Sequence, residues 1–195
     1  FLDTHVHNID IINWFAGKQP ISAIGGGARN RRLTGDQYDF FSVDFYYDEG
    51  MHSHSMSRQI DNCANATAEH LMGTEGYTNC KDTIFNPDGT IMWQYAYPED
   101  ANGNPTKTVS VSPYVQEHID LVASIRNHKP INEAEQVALS TLTAIMGREA
   151  AYTGKMITWD QINKSNMRMG PMEYKMGPVD MKIETPIPGT PHGQK

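Results

Sequence analysis

Alternation of apolar and polar residues is clearest in the segment YDFFSVDFYY, residues 38–47, which predicts a β-strand. With Asp39 set aside as an exception, every second position is apolar. The predicted core face consists of Phe41, Val43, Phe45 and Tyr47. The opposite face mixes aromatic and polar side chains. The turn DEG at 48–50 and the segment 51–60 complete a predicted hairpin.

Further strands are predicted on both sides of this hairpin. The segment PISAIGGG precedes it and predicts a strand that runs into a glycine-rich loop. The turn signal NPDG, residues 86–89, joins two of the later strands. The predicted strands outside the hairpin cover residues 20–27, 66–73, 82–86 and 90–97.

In several stretches the apolar spacing is about 3.6 residues, which is typical of helices. In the first helix, Thr4 is a candidate N-cap and Gly17 a candidate left-handed end. In the last helix, Thr158 and Gln161 resemble a capping box. The predicted helices cover residues 4–16, 112–127, 131–154 and 158–165.

The order of a helix, a run of strands and then more helices predicts an α+β fold. We expect an open, mainly antiparallel sheet with helices packed on one face. Residues 1–169 form the predicted domain, and the Pro-, Gly- and Met-rich residues 170–195 form an extended tail. The strands at 38–47 and 51–60 carry an outer face too aromatic for simple solvation, so we expect a homo-oligomer, a dimer or tetramer, joined through this face.

Charge and composition exclude some functions. With 16 basic and 23 acidic residues the chain carries a net charge of −7, which argues against nucleic acid as a partner. The one basic cluster, RNRR at 29–32, is interpreted as a solvated loop. We expect no membrane span in this chain, because no apolar run approaches the ~20 residues required. Cys63 and Cys80 are too far apart for a CxxC motif and are expected to be buried thiols, with a single disulfide bridge between them as the alternative.

The segment DTHVHNID, residues 3–10, holds the densest group of chemically active side chains. On a helix, Asp3, His7 and Asp10 share one face, and His5 points nearly the opposite way. Histidines two residues apart do not chelate a metal on a helix, so no metal is expected. A carboxylate four residues before a histidine suits proton transfer, although a capping acid beside a structural histidine gives the same pattern.

Other candidate site residues rest on weaker sequence signals. Arg58 and Gln59 suit a hydroxylated or anionic substrate, or equally a structural polar pair. The glycines at 25–27 do not match GxGxxG, and no helix pattern follows them, so they predict a loop and not a nucleotide site.

The segment LDTHVHNIDIINWFAGKQP resembles the D-x-G-x-H-x-x-D…W segment that opens the C-terminal domain of the Gfo/Idh/MocA oxidoreductases. The blocks GGGARN, YDFFSVDFYYDEGM, SRQIDNCANATAEHLMGTEG and TWDQI follow in family order, in the form common in Bacteroidetes-type members. The resemblance covers nearly the whole chain.

This resemblance implies an N-terminal Rossmann domain outside the sequence, which would provide most of the NAD or NADP site. It implies oxidation of a secondary hydroxyl of a sugar or sugar derivative. By position, His7 matches the residue that takes the hydroxyl proton and Asp3 the residue that orients it, together with a lysine of the Rossmann domain. His5, Asp10, Arg58 and Gln59 are then expected at the substrate.

Two positions depart from the family pattern. His5 stands where relatives carry a small residue, and Phe40 stands where they often carry histidine. His5 is therefore a second candidate for the base. Two other functions remain open: an NAD-dependent glycosidase that works by transient oxidation and elimination, and a non-catalytic carbohydrate-binding or assembly module. The protein is expected in the cytoplasm or the periplasm, which the sequence does not distinguish.

Overall fold

The computed structural model describes residues 1–106, 111–171, 173–178 and 184–190. The helices in these residues are α1 (Val6–Ala16), α2 (Pro113–Arg126), α3 (Ala134–Thr153) and α4 (Trp159–Asn163). The strands are β1 (Ser22–Ala28), β2 (Phe40–Tyr46), β3 (His52–Arg58), β4 (Leu71–Met72), β5 (Tyr77–Thr78), β6 (Thr83–Phe85), β7 (Ile91–Gln94) and β8 (Ile157–Thr158). Antiparallel sheets and helices occupy separate stretches, so the predicted α+β class is confirmed.

The strands divide between two antiparallel sheets, which the sequence pattern did not indicate. One sheet has the order β3-β2-β1-β8, and the other has the order β4-β5-β6-β7. Residues 1–65 and 135–195 form one compact unit, and residues 66–134 form a second. The first unit holds the long strands and, as shown below, the candidate site.

The core of the first unit lies on the inner face of β2. The side chains predicted to form this face, Phe41, Val43, Phe45 and Tyr47, are each at most 4% exposed. They pack against Ile9 of α1 and against small buried residues of α3 such as Ala144 and Ala150. Burial of each large apolar side chain contributes roughly 1.5–3 kcal/mol, so this face fixes the position of both helices.

The beginning of α1 differs from the prediction, whereas its end agrees. Thr4 is not the N-cap: the helix begins at Val6, and His5 occupies the cap position without a side-chain cap bond. The peptide N–H of His5 donates to the carbonyl of Phe1 at 3.1 Å, so a helical turn precedes the helix and supplies the start that a cap would provide. Gly17 ends the helix at φ 65° as predicted, a left-handed conformation that favours glycine.

In the second unit the predicted NPDG turn joins β6 to β7, and the N–H of Asn86 donates to the carbonyl of Thr90 at 2.8 Å. The strands are shorter than predicted, and β5 was not predicted, because two residues are too few for an alternating pattern. The apolar stripe of α2 is exposed within this chain; its side chains are 44–64% exposed at Val115, Ile119, Val122 and Ile125.

The described residues of the predicted tail belong to the first unit and form hydrogen bonds with other parts of it. The Tyr38 hydroxyl donates to the carbonyl of Pro186 at 2.8 Å, and the N–H of Gly189 donates to the carbonyl of Thr153 at 2.8 Å. Cys63 and Cys80 are half-buried free thiols. None of the helices in the described ranges is long and apolar enough to cross a membrane.

Candidate functional site

The start of α1 places its two histidines in different environments. His5 is half-buried, and its Nε2 shares a hydrogen bond of 2.5 Å with the hydroxyl of Ser55 on β3. Its ring also packs on Phe1, with ring centroids 5.1 Å apart. Because Ser55 belongs to the inward-facing side of β3, His5 points toward the sheet. The predicted opposition of His5 and His7 is therefore confirmed.

His7 and Asp3 lie on the exposed side of this segment. Within the described residues, no hydrogen bond or ion pair joins the two side chains, and neither is held by another side chain. The i, i+4 spacing on which their pairing was predicted bridges the helical turn before Val6 and the first turn of α1. Both groups are accessible to a molecule that approaches α1 from outside the sheet.

Asp10 points from α1 toward α3. Its Oδ1 accepts a hydrogen bond of 2.6 Å from the hydroxyl of Ser140, a residue that is only 2% exposed. The amide of Gln136 lies at 3.4 Å from the same oxygen. Asp10 thus connects the two helices next to the His5–His7 segment, and its predicted contact with substrate stays a prediction.

A chain of buried polar side chains, which the sequence analysis did not predict, holds α1 one turn further along. Tyr47 donates to Asn13 Oδ1 at 2.9 Å, and Asn13 Nδ2 donates to Thr143 at 3.1 Å. All three residues are at most 5% exposed. Burial raises the pKa of Tyr47 to about 12, so its hydroxyl stays protonated and keeps donating. The one sequence feature that could have predicted this chain is Asn13, a polar residue within the apolar face of a helix, because a buried polar side chain requires hydrogen-bond partners.

Arg58 and Gln59 lie elsewhere. Arg58 is on the outer side of β3, because side chains alternate along a strand and Ser55 faces inward. Its Nη2 donates to the carbonyl of Ala64 at 2.8 Å. Gln59 Oε1 accepts a hydrogen bond of 3.0 Å from Arg32. The structure thus gathers four of the six candidates, Asp3, His5, His7 and Asp10, around the start of α1 and not the other two.

The glycine run is part of a strand and not a loop, which corrects the prediction. Gly25 and Gly27 pair with Val43 and Phe41 of β2, and a Cβ on Gly27 would lie 2.5 Å from the carbonyl oxygen of Phe40. These glycines permit close strand approach, and no helix N-terminus follows them. They do not fit the pyrophosphate of a dinucleotide, so this segment provides no cofactor cradle.

In the part of the chain that the structure describes, no group of three or more His, Cys, Asp or Glu side chains is arranged to hold a metal ion. The start of α1 carries imidazole and carboxylate groups, which can hydrogen-bond to hydroxyls and transfer a proton.

The basic segment RNRR, residues 29–32, is ordered around a buried carboxylate. Asp39 is 3% exposed and accepts hydrogen bonds from the backbone N–H groups of Asn30, Arg31 and Arg32 at 2.6–3.0 Å. Burial alone would raise the pKa of Asp39, but these hydrogen bonds outweigh burial and hold that pKa below its usual value. The segment is a loop as predicted, but only its two middle residues, Asn30 and Arg31, are exposed; Arg29 and Arg32 are half-buried.

No protein-family profile matches the sequence, and no curated protein matches it. Solved structures do match. The myo-inositol 2-dehydrogenase of Lactobacillus plantarum matches with a TM-score of 0.54 at 18% identity, over 80% of this chain and 47% of that one. The UDP-N-acetylglucosamine 3-dehydrogenase of Acidithiobacillus ferrooxidans matches with a TM-score of 0.56 at 15% identity, over 75% and 45%.

The scyllo-inositol dehydrogenase of Lactobacillus casei, solved with NAD(H) and scyllo-inositol, matches with a TM-score of 0.53 at 18% identity, over 78% of this chain and 46% of that one. The chain thus spans just under half the length of the structures it matches. At these identities the similarity shows a shared fold. The fold of this chain is that of a part, a little under half in length, of inositol and sugar dehydrogenases.

Proposed function

We propose that this chain is the C-terminal, substrate-binding and oligomerisation domain of an NAD(P)-dependent oxidoreductase of the Gfo/Idh/MocA family. Its substrate would be a secondary hydroxyl of a sugar, sugar derivative or inositol. The observation that carries the proposal is the match of 75–80% of this chain to just under half of three inositol and sugar dehydrogenases. The resemblance of the opening motif agrees with it.

His7 is proposed as the group that takes the proton from the reacting hydroxyl, through an imidazole nitrogen. Its exposure at the start of α1 supports this role, since a base must come within hydrogen-bond reach of its substrate. Asp3, exposed on the same side, would orient His7. His5 and Asp10, which are held by Ser55 and Ser140, would contact the other hydroxyls.

The nicotinamide cofactor would accept the hydride, and most of its site would lie in a Rossmann domain outside this sequence. The glycine run of β1 is unsuitable for that purpose, as described above. The residues of this chain would therefore bind and orient the polyol and handle its proton.

The test uses the complete protein as encoded in its organism, with NAD or NADP and a panel of inositols, aldoses and their glycosides. Formation of reduced cofactor in proportion to an oxidised polyol supports the dehydrogenase. Glycoside cleavage without accumulation of reduced cofactor would contradict the dehydrogenase and identify a glycosidase that oxidises its substrate transiently. Carbohydrate binding without either reaction identifies a non-catalytic module.

We also propose that the outer face of β1–β3 joins copies of this chain. Apolar side chains protrude from it: Met56 is 66% exposed, Ile24 40% and Tyr46 38%. Between them His54 Nδ1 lies 2.8 Å from Asp44 Oδ1, and His54 Nε2 lies 3.4 Å from the Ser42 hydroxyl. These polar groups satisfy one another within one copy, so covering the face leaves none of the three without a partner.

A further inference from the structure

The half-buried arginines of the RNRR loop face an open cleft that the proposed function does not use. The cleft measures about 430 Å³ and lies between the end of β1, this loop and the described tail residues. Its lining includes Arg29, Arg32, Tyr38 and the segment Thr185–Pro188. None of the proposed catalytic or substrate-binding residues lines it.

Contacts with the protein hold both guanidinium groups in place. Arg29 donates through Nε to the carbonyl of Arg32 at 2.6 Å, and through Nη1 to the carbonyl of Gly35 at 2.8 Å and the hydroxyl of Thr185 at 3.0 Å. Arg32 donates through Nη2 to Gln59 at 3.0 Å. Preorganised groups lose less entropy when they bind a ligand.

These contacts leave donors available. Within the described residues, no acceptor bonds Nη2 of Arg29 or the Nε and Nη1 of Arg32, and neither arginine takes part in an ion pair. The nearest buried carboxylate in the loop, Asp39, is occupied by backbone N–H groups and does not line the cleft. Positive charge therefore faces the cleft, although the chain as a whole carries a net charge of −7.

We propose that this cleft binds a small organic oxyanion. Arg29 and Arg32 would take its carboxylate or phosphate group, because guanidinium forks match the geometry of both. Pro186, Ile187 and Pro188 provide an apolar wall for the body of the ligand. Asp39 accepts hydrogen bonds from the backbone of the loop that carries both arginines.

The experiment is calorimetric titration of the complete protein at constant ionic strength with benzoate, phenyl phosphate and benzyl alcohol, none of which is a carbohydrate that the proposed polyol site would bind. Binding of one or both anions without binding of benzyl alcohol supports the proposal, and the stronger anion identifies a carboxylate or a phosphate ligand. Absence of binding by both anions, or equal binding of benzyl alcohol, overturns it.

Two matched variants distinguish anion binding in the cleft from general electrostatic attraction of anions to the basic loop. Arg32→Gln is expected to weaken anion binding about 10-fold or more, because charge-assisted hydrogen bonds are lost. Arg31→Gln removes the same charge from the same loop but outside the cleft, so it is expected to change affinity less than about 2-fold. Equal weakening in both variants overturns the site.

Circular dichroism checks that each variant folds. If Arg32→Gln does not fold, Arg32→Lys provides the test. This variant keeps the charge but lacks the planar guanidinium group, so anion affinity is expected to fall several-fold. Unchanged affinity in Arg32→Lys overturns the role of Arg32. The outcome is independent of the dehydrogenase assay, because that assay reports on residues at the start of α1.

Discussion

At the scale of single residues, position within a helix separates two histidines that look alike in the sequence. His5 and His7 are two residues apart, yet His5 is tied to Ser55 on the sheet and His7 is exposed. Two residues correspond to about 200° around a helix, so one side chain must face away when the other faces in. Periodicity predicted this separation, but only packing shows which histidine lies on the solvent side.

The histidines also give a prediction for catalysis. In the complete protein, His7→Ala is expected to lower turnover by about 100-fold or more, because a general base is lost. His5→Ala, the matched control, is expected to act mainly on KM and stability. Steady-state kinetics of both variants, with the polyol that the complete protein oxidises fastest, measure these effects. A larger loss of turnover in His5→Ala than in His7→Ala would assign the role of base to His5.

Asp39 gives a prediction for pH dependence. Its pKa is depressed in the folded protein, so its contribution to stability is present above the ordinary aspartate pKa of about 3.9 and is lost as pH falls through the folded value. Asp39→Asn is expected to lower the free energy of unfolding by about 1–3 kcal/mol at pH 7.

The measurement is urea unfolding of both proteins between neutral and acidic pH. The difference between wild type and Asp39→Asn is expected to be constant near neutrality and to shrink below about pH 4. The exposed Asp36 of the same loop serves as a control, and Asp36→Asn is expected to change little. A difference for Asp39→Asn that grows in acid would contradict this account.

At the scale of elements, contacts between neighbours decide what the glycine run is. The run GGG was predicted to be a loop because it does not match GxGxxG and no helix pattern follows it. In the structure, residues 25–27 are the middle of β1, and two of the three glycines are required by close approach to β2. The middle one, Gly26, has open space where a Cβ would lie.

Adjacent substitutions test this difference. Gly27→Ala is expected to destabilise the protein by about 1–3 kcal/mol, because its Cβ would lie 2.5 Å from the carbonyl oxygen of Phe40 and 2.7 Å from Tyr38 Cδ2. Gly26→Ala is expected to be neutral or stabilising by up to about 1 kcal/mol. Chemical denaturation measures both, and equal effects would show that strand approach does not select glycine at position 27.

At the scale of the whole molecule, association through the outer face of β1–β3 is the proposal to test. Wild type is expected to be a dimer or tetramer in light scattering coupled to size-exclusion chromatography. Met56→Glu places a charge at the most exposed of these apolar side chains and is expected to raise the dissociation constant about 10-fold or more. Met72→Glu, at an 88% exposed position of β4, is the control.

A monomeric wild type, or the same dissociation in both methionine variants, would argue against the sheet face as the interface. The complete protein gives the decisive measurement, since this chain spans just under half the length of the dehydrogenases it matches.

The sequence by itself determined the α+β class, the core face of β2, the approximate extents of the long helices and the opposition of His5 and His7. Each of these follows from a local period of 2 or 3.6 residues, which neighbouring positions in the chain impose. Tertiary structure decided the division into two sheets, the strand identity of the glycines, the position of Arg58 away from α1, and the loop around Asp39. These depend on contacts between residues that are distant along the chain or on loop conformation, and no periodic pattern records either.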